Sequence, residues 1–488
     1  MKTILLIMRN FRVFMLIAML VPVGLAGNAN GQTFTSLHSF TGGSTDGAFP
    51  EAGLVQGTDG NFYGTTAGFA NLGSVSFGAT TGTIYRITSN GTFTNLYSFT
   101  GGSDGGNPQA ALIQGFDGNF YGTTAGFANL GSASFNSSTG TVFRISSSGF
   151  FTNLYSFTGS YGTSDGANPH AALVQGTDSN FYGTTWAGGS NGVGTVFRIS
   201  SNGNLTNLYS FTGGSDGNTP QAGLVQGFDG SFYGTTVYGG DFGGGNVYRI
   251  TSLGIPTNLY SFTFGSDGYY PQAGLVQGSN SNFYGTILNG GDAGWGTVFW
   301  ISSSGTLSTI YPFTGGNDGG APDAGLIRGS DGSFYGTTLY GGAYGSGTVF
   351  GITSSGVFTN LYSFTGGSDG GFPQAALVQG RDGNFYGTTV YGGLYGSGTV
   401  FKVAANIGPL QFNSILRVGN DIRLSWQWPW SGVTQLQRSS GDAAGNYTNS
   451  WTNIAPVVSV GPYTNFTDIG AAGNHSRFYR VRMTPITP

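Results

Sequence analysis

One block of sequence recurs seven times between Leu37 and Val403: LYSFTGGSDG, a connector ending in Pro, AGLVQG, a turn, FYGTT, a Gly-rich loop, GTVFRI and a second turn. The FYGT phrase falls at Phe62, Phe120, Phe181, Phe232, Phe283, Phe334 and Phe385, a period of 51 residues over the last four intervals and of 58 and 61 over the first two. A unit of that length with four short apolar runs reads as one propeller blade, and seven such units close a ring. Ordering some fifty residues costs on the order of 50 to 100 kcal/mol of conformational entropy. No isolated four-stranded sheet recovers that, so neighbouring units must stack.

Within the second unit, AALIQG (Ala110 to Gly115) and NFYGTT (Asn119 to Thr124) flank a short turn, and GTVFRI (Gly140 to Ile145) and TNLYSF (Thr152 to Phe157) flank the turn Ser146 to Gly149. These are strands a, b, c and d of one blade. Leu, Val, Phe, Tyr and Ile crowd both faces of the strands, as expected of a sheet covered on either side by a neighbour. The array begins with a lone strand d, Thr33 to Phe40, and ends with a lone strand c, Gly398 to Val403. The first strand is therefore expected to complete the last blade, pairing two edges that would otherwise stay open.

Through LYSFTGGSDG at Leu361 to Gly370, GNFYGTT at Gly383 to Thr389 and GTVFKV at Gly398 to Val403, residues 37–403 resemble the Gloeo-Verruco (GloVer) tandem repeat family. The resemblance implies an exported, often surface-anchored bacterial protein and assigns no activity. From about residue 408 the character changes, with DIRLSW at Asp421 to Trp426, TQLQRSS at Thr434 to Ser440, YTNFTDIG at Tyr463 to Gly470 and RFYRVRM at Arg477 to Met483. This stretch resembles a fibronectin type III sandwich, with Trp426 and Tyr479 where that fold places its core Trp and its strand-F Tyr. The expected fold is all-β: a seven-bladed β-propeller of four-stranded blades over residues 32–403, closed by an N-terminal strand, followed by a small β-sandwich over 404–488.

Lys2, Arg9 and Arg12 precede an apolar run from Val13 to Ala26 that is too short to span a membrane and is flanked like a secretory signal. Residues 1–31 are expected to be removed, leaving a secreted or cell-surface protein with no transmembrane anchor in the mature chain. There is no cysteine, which excludes disulfides, thiolate catalysis and cysteine metal sites. Without the three signal-segment bases, 20 Asp and Glu face 13 Lys and Arg, a balance that disfavours nucleic acid as a partner.

The departures from the 51-residue period sit in two loop classes. The b-to-c loops Ala67 to Thr81 and Ala125 to Thr139 are seven residues longer than those of later blades, and the connector Gly159 to Asn168 gains three. Strand direction puts both classes on one rim, and loops that vary on one face mark a binding face. That rim carries Phe69, Phe77, Phe127, Phe135, Trp186, Tyr238, Phe242, Trp295, Tyr344 and Tyr395, rings in Gly-rich loops suited to the flat faces of sugars.

Charge is sorted too. The connector acids Asp46, Asp104, Asp165, Asp216, Asp267, Asp318 and Asp369 lie on this rim with Glu51, Asp241, Asp292 and Asp323, and no Lys or Arg joins them. The recurring Asp before Gly reads as a former of Asx-type turns. Calcium is the second reading, for which one carboxylate per connector supplies too few oxygens by itself. The residue after each connector Pro forms a ring at the channel mouth: Glu51, Gln109, His170, Gln221, Gln272, Asp323 and Gln374. Glu51 and Asp323 stand two blades apart, an arrangement open to a paired-carboxylate hydrolase, although a drift from Gln to acid needs no function. His38, His170 and His475 have no ligand spacing, and no GxSxG elbow is present.

These features point first to an exported, monomeric, non-catalytic binding or adhesion protein, free of cofactors, whose rim recognises a polysaccharide or a surface protein. The second reading is a secreted polysaccharide hydrolase or lyase using the acids at the channel mouth. The third is a structural envelope protein.

Overall fold

In the computed structural model, residues 33–68, 81–126, 139–159 and 165–404 are described in full, together with the backbone of strands on either side of them. Every regular element among the described residues is a β-strand, and none is a helix long and apolar enough to cross a membrane. The chain divides into two compact units, Gln32–Ala405 and a second made of Met1–Gly31 with Asn406–Pro488.

The first unit is a seven-bladed β-propeller of four-stranded antiparallel blades. Blade 1 is built from Val55–Gln56, Phe62–Thr66, Thr83–Ile87 and Phe93–Ser98, and blades 2 to 6 repeat this order as far as Phe358–Ser363. Blade 7 takes Val378–Gln379, Phe385–Thr389 and Thr399–Val403 from the end of the array and Phe34–Ser39 from its start. Phe34 lies opposite Val403 and Ser39 opposite Thr399, so the expected seam is formed by strand pairing.

Strand a is shorter than the sequence suggests. Only Ile113–Gln114 of AALIQG pairs with strand b, because the Ala110 carbonyl upstream accepts the Thr65 hydroxyl of the preceding blade instead, at 3.2 Å. The first Thr of each FYGTT makes this bond, Thr388 to Ala52 across the seam included, at 2.9 to 3.2 Å. Strands a of successive blades run close together: a Cβ on Gly53 would stand 2.8 Å from the Ala376 carbonyl. They line the central axis.

The FY dipeptide of strand b joins blade to blade. Its Tyr stacks on the Phe of the next blade, from Tyr63 on Phe120 round to Tyr335 on Phe385 and Tyr386 on Phe62, with ring centroids 3.9 to 4.1 Å apart in all seven interfaces. Such pairs contribute about 0.5 to 1.5 kcal/mol each beyond their area burial. The Gly that follows is required because an aromatic ring of strand c crosses it: a Cβ on Gly122 would meet Phe143 at 2.6 Å. A bulge recurs between strands c and d, as between Val142 and Phe143, and the bulged Leu154 packs on the core of the next blade interface.

Six interfaces carry a further clasp, in which the Gln of strand a accepts a backbone N–H from the a-to-b turn of the preceding blade at 2.9 to 3.0 Å. Arg328 occupies this position in blade 6, so the interface between blades 5 and 6 lacks the clasp. Blade 5 departs again at Ile287, where other blades place Thr, and the buried Thr297 hydroxyl opposite is left without a partner.

The second unit holds two sheets. Gln411–Val418, Asp421–Gln427 and Tyr463–Asp468 form one, while Gly432–Ser440, Thr452–Ser459 and Arg477–Met483 form the other with Leu5–Arg9 and Arg12–Leu16. Trp426 and Tyr479 lie on strands of different sheets.

Deleting Thr33 to Thr41 should lower the thermal midpoint sharply, since it opens blade 7 and both its interfaces; an unchanged melt would remove the seam. Arg328→Gln should restore the seventh clasp and raise the unfolding free energy by about 0.5 to 1.5 kcal/mol, measured by denaturant titration; a loss of stability would contradict the clasp.

Candidate functional site

The rim bearing the connectors and b-to-c loops is held by backbone. Before each connector Pro stands a residue with φ between 52° and 62°: Phe49, Asn107, Asn168, Thr219, Tyr270, Ala321 and Phe372. Positive φ costs a side-chain-bearing residue, and such strain persists only where its surroundings over-determine it. Here the N–H of each donates to a b-to-c loop carbonyl of the preceding blade, as Phe372 to Ser346 at 2.9 Å and Phe49 to Ser397 at 3.0 Å. In six blades, Tyr270 of blade 5 being the exception, the carbonyl accepts from the residue just past its own strand b, as Ala67 to Phe49 at 3.0 Å. The N–H bond recurs in all seven blades, while the side chain it displays changes from blade to blade.

The aromatic examples of this position join the rim into two arcs. Tyr340, Phe372, Tyr391 and Phe49 form a chain of edge-on rings across blades 6, 7 and 1, with centroids 5.4 to 5.9 Å apart. Tyr340 is 43% and Tyr391 50% exposed, so the chain presents ring surface to solvent. A second group, Tyr238, Tyr270, Tyr269 and Phe264, spans blades 4 and 5.

Two mouth carboxylates belong to the same blades, Glu51 two residues after Phe49 and Asp323 in blade 6. Gln109 Nε2 donates to Glu51 Oε2 at 3.0 Å and leaves its own Oε1 buried without a donor. Burial holds the Glu51 carboxyl above its usual range, the Gln109 bond opposes the shift, and the Asp323 charge adds to it. Asp323 has no hydrogen-bond partner among the described residues, and desolvation pushes its carboxyl up to about 6. His170 is held down to about 4 by burial and is neutral at pH 7; the Trp186 ring stands 5.9 Å from it.

Of the residues singled out from the sequence, Phe69, Phe77, Phe127 and Phe135 lie outside the described residues. Tyr238, Trp295, Tyr344 and Tyr395 are exposed and Trp186 is half-buried. Trp295 lies on the next connector, where a Cβ on Gly315 would meet its indole at 2.4 Å. Tyr344 and Tyr395 make no ring contact among the described residues. Tyr340 and Tyr391 escape a reading of loop tips because they sit at loop starts, and Phe49 and Phe372 because their orientation depends on φ.

The connector Asp is not an Asx turn. Its carboxylate closes the loop by accepting the Thr N–H and hydroxyl of the FT step and the strand-d Tyr hydroxyl, as Asp104 does from Thr100 at 2.6 to 2.7 Å and Tyr97 at 2.9 Å. His38 replaces that Tyr in the seam strand and keeps the link to Asp46 at 3.3 Å. Asx turns occur on the opposite rim, where Asp59 accepts the Asn61 N–H at 3.1 Å.

Asp323 opposes folding at neutral pH. Its folded pKa lies above the ordinary 3.8, so its contribution is fully present below about pH 4 and is lost as pH rises through about 6. Asp323→Asn should therefore be more stable than the parent at pH 8, by up to about 3 kcal/mol, with the gain shrinking toward pH 4. Denaturant titrations at both pH values measure this, and a variant no more stable at pH 8 would contradict the desolvated carboxylate.

Among solved structures, the chain is similar to a glycoside hydrolase at 9% identity and a TM-score of 0.27, over 76% of this chain and 93% of that one. It is similar to prolyl oligopeptidase B from Galerina marginata at 11% identity and a TM-score of 0.39, over 84% of this chain and 51% of the enzyme. A polysaccharide lyase, Uly1, matches at 9% identity and a TM-score of 0.37, over 94% of each chain. Likeness this distant fixes no activity. No curated protein matches the sequence. The model of one repeat family matches residues 26–162, 79–285 and 226–417, which takes in the whole propeller, and the chain belongs to this Gloeobacter/Verrucomicrobia repeat family.

Proposed function

We propose that the protein is an exported, non-catalytic binding protein whose connector rim holds a polysaccharide by stacking sugar faces on its aromatic arcs. The observation that carries this reading is the chain Tyr340, Phe372, Tyr391 and Phe49, partly open to solvent and mounted on backbone bridged between blades. Rings held before the ligand arrives lose little entropy on binding. The rim bears no Lys or Arg, so phosphate-rich ligands find no counter-charge there. Residues 404–488 would act as a spacer or accessory adhesion module, and residues 1–31 as the export signal.

Covering about 60 Å² of a ring face at about 25 cal/mol per Å² gives roughly 1.5 kcal/mol, a tenfold change in affinity. On a glycan array followed by calorimetry, Tyr391→Ala and Tyr340→Ala should each weaken binding of the selected polysaccharide about tenfold. Binding unaffected by both, yet lost on trimming residues 67–81 and 125–139, would move the site to the enlarged loops. Polysaccharide turnover abolished by Glu51→Gln would replace the reading with a hydrolase or lyase, and no glycan binding at all would leave a structural envelope role.

A further inference from the structure

The channel mouth holds acceptors that the protein does not satisfy. The residues following the connector Pro stand four positions ahead of the short strands a that line the axis, one from each blade. In that ring Gln109 spends its amide N–H on Glu51, and its Oε1 is buried with no donor. Asp323 is desolvated and has no hydrogen-bond partner among the described residues. The charge of Asp323 acts on Glu51, and the propeller's Lys and Arg lie on strands c, at the far end of one strand a (Arg328) and on the opposite rim (Arg381). A buried acceptor without a donor and a desolvated carboxylate without a cation both cost free energy. A ligand that brings N–H donors and positive charge together would remove both costs.

Two features narrow the ligand. The described residues hold no group of three or more His, Cys, Asp or Glu close enough to bind a metal ion, and two carboxylates with one amide oxygen fall short of the six to eight oxygens calcium takes. An ammonium group has three N–H donors, and three acceptors are on offer: the Glu51 and Asp323 carboxylates and Gln109 Oε1. Position supplies the second feature. Asp323 belongs to blade 6 and Glu51 to blade 1, and the arc Tyr340, Phe372, Tyr391 and Phe49 runs over the same sector, with Phe49 two residues before Glu51.

We propose that the channel mouth binds a primary ammonium group, and that the polysaccharide crossing the arc is one with free amino groups, a deacetylated amino-sugar polymer. This rests on the polysaccharide reading of the rim and narrows it. One sugar lies against the arc while the amino group of the same or an adjoining residue points inward to the carboxylates. N-acetylation removes the charge and two of the three N–H donors, so the acetylated polymer loses the mouth contact and keeps only the stacking.

The test compares a glucosamine hexamer, its fully N-acetylated counterpart and a cellulose hexamer by calorimetry on the whole chain at pH 6.5. The parent should bind the glucosamine hexamer at least tenfold more tightly than the acetylated one, and Glu51→Gln with Asp323→Asn should bring that ratio to within twofold of one. These amide substitutions keep side-chain shape, and a thermal melt checks folding. Asp241→Asn with Asp292→Asn removes the same charge from exposed rim loops and should retain the preference. Equal affinities in the parent, or a preference that survives at the mouth variant, would overturn the proposal, as would loss of the preference in the loop variant, which would assign it to diffuse rim charge. Binding of all three hexamers that depends on Tyr391 without amine preference sinks this inference alone. No hexamer bound, with Tyr340→Ala and Tyr391→Ala inert on every glycan, sinks the polysaccharide reading as well.

Discussion

The stack of each strand-b Tyr on the Phe of the next blade is the contact on which the rest of the propeller depends. A four-stranded blade of this composition is apolar on both faces and has no independent core. The FY dipeptide gives every blade one ring for the neighbour behind and one for the neighbour ahead. With Tyr386 on Phe62 the relay returns to its start, so the blade faces of the array are covered all round. The Thr bond to the strand-a carbonyl of the next blade, made seven times, sets how close strands a come at the axis. That spacing lets Gln109 of blade 2 reach Glu51 of blade 1.

Much of this was legible because repetition exposes what must stay constant. The period, the blade order and the seam follow from FYGTT, GTVF and the unpaired Thr33 to Phe40, since a strand left over at each end has one economical partner. What stayed hidden depends on geometry that only the closed ring supplies. Glu51 and Gln109 are 58 positions apart and meet because the ring brings successive mouths together. The connector Asp looks like a local turn former, yet its partner is the Tyr of the strand before it. Phe49 and Phe372 read as ordinary residues before Pro, a position biased toward extended backbone, and their positive φ turns them onto the rim.

Rim and mouth show a division of labour within one repeat. The Asp staple and the N–H bond of the residue before Pro recur in each blade. Chemistry varies at few places on that frame: the residue before Pro, the residue after it, and the loop positions occupied by Tyr340 or Tyr391. A recognition surface made this way changes ligand by substitution without altering the fold. The sector from blade 6 to blade 1 holds both the aromatic chain and the carboxylates Glu51 and Asp323.

The closed relay is tested most directly by double-mutant cycles on two interfaces, Phe62→Leu with Tyr386→Leu across the seam and Phe283→Leu with Tyr233→Leu between blades 4 and 5. Both pairs stack alike, at 4.0 and 3.9 Å, so the account expects coupling energies of the same size, about 0.5 to 1.5 kcal/mol. Coupling present between blades 4 and 5 but absent across the seam would mean that the array does not close into a ring.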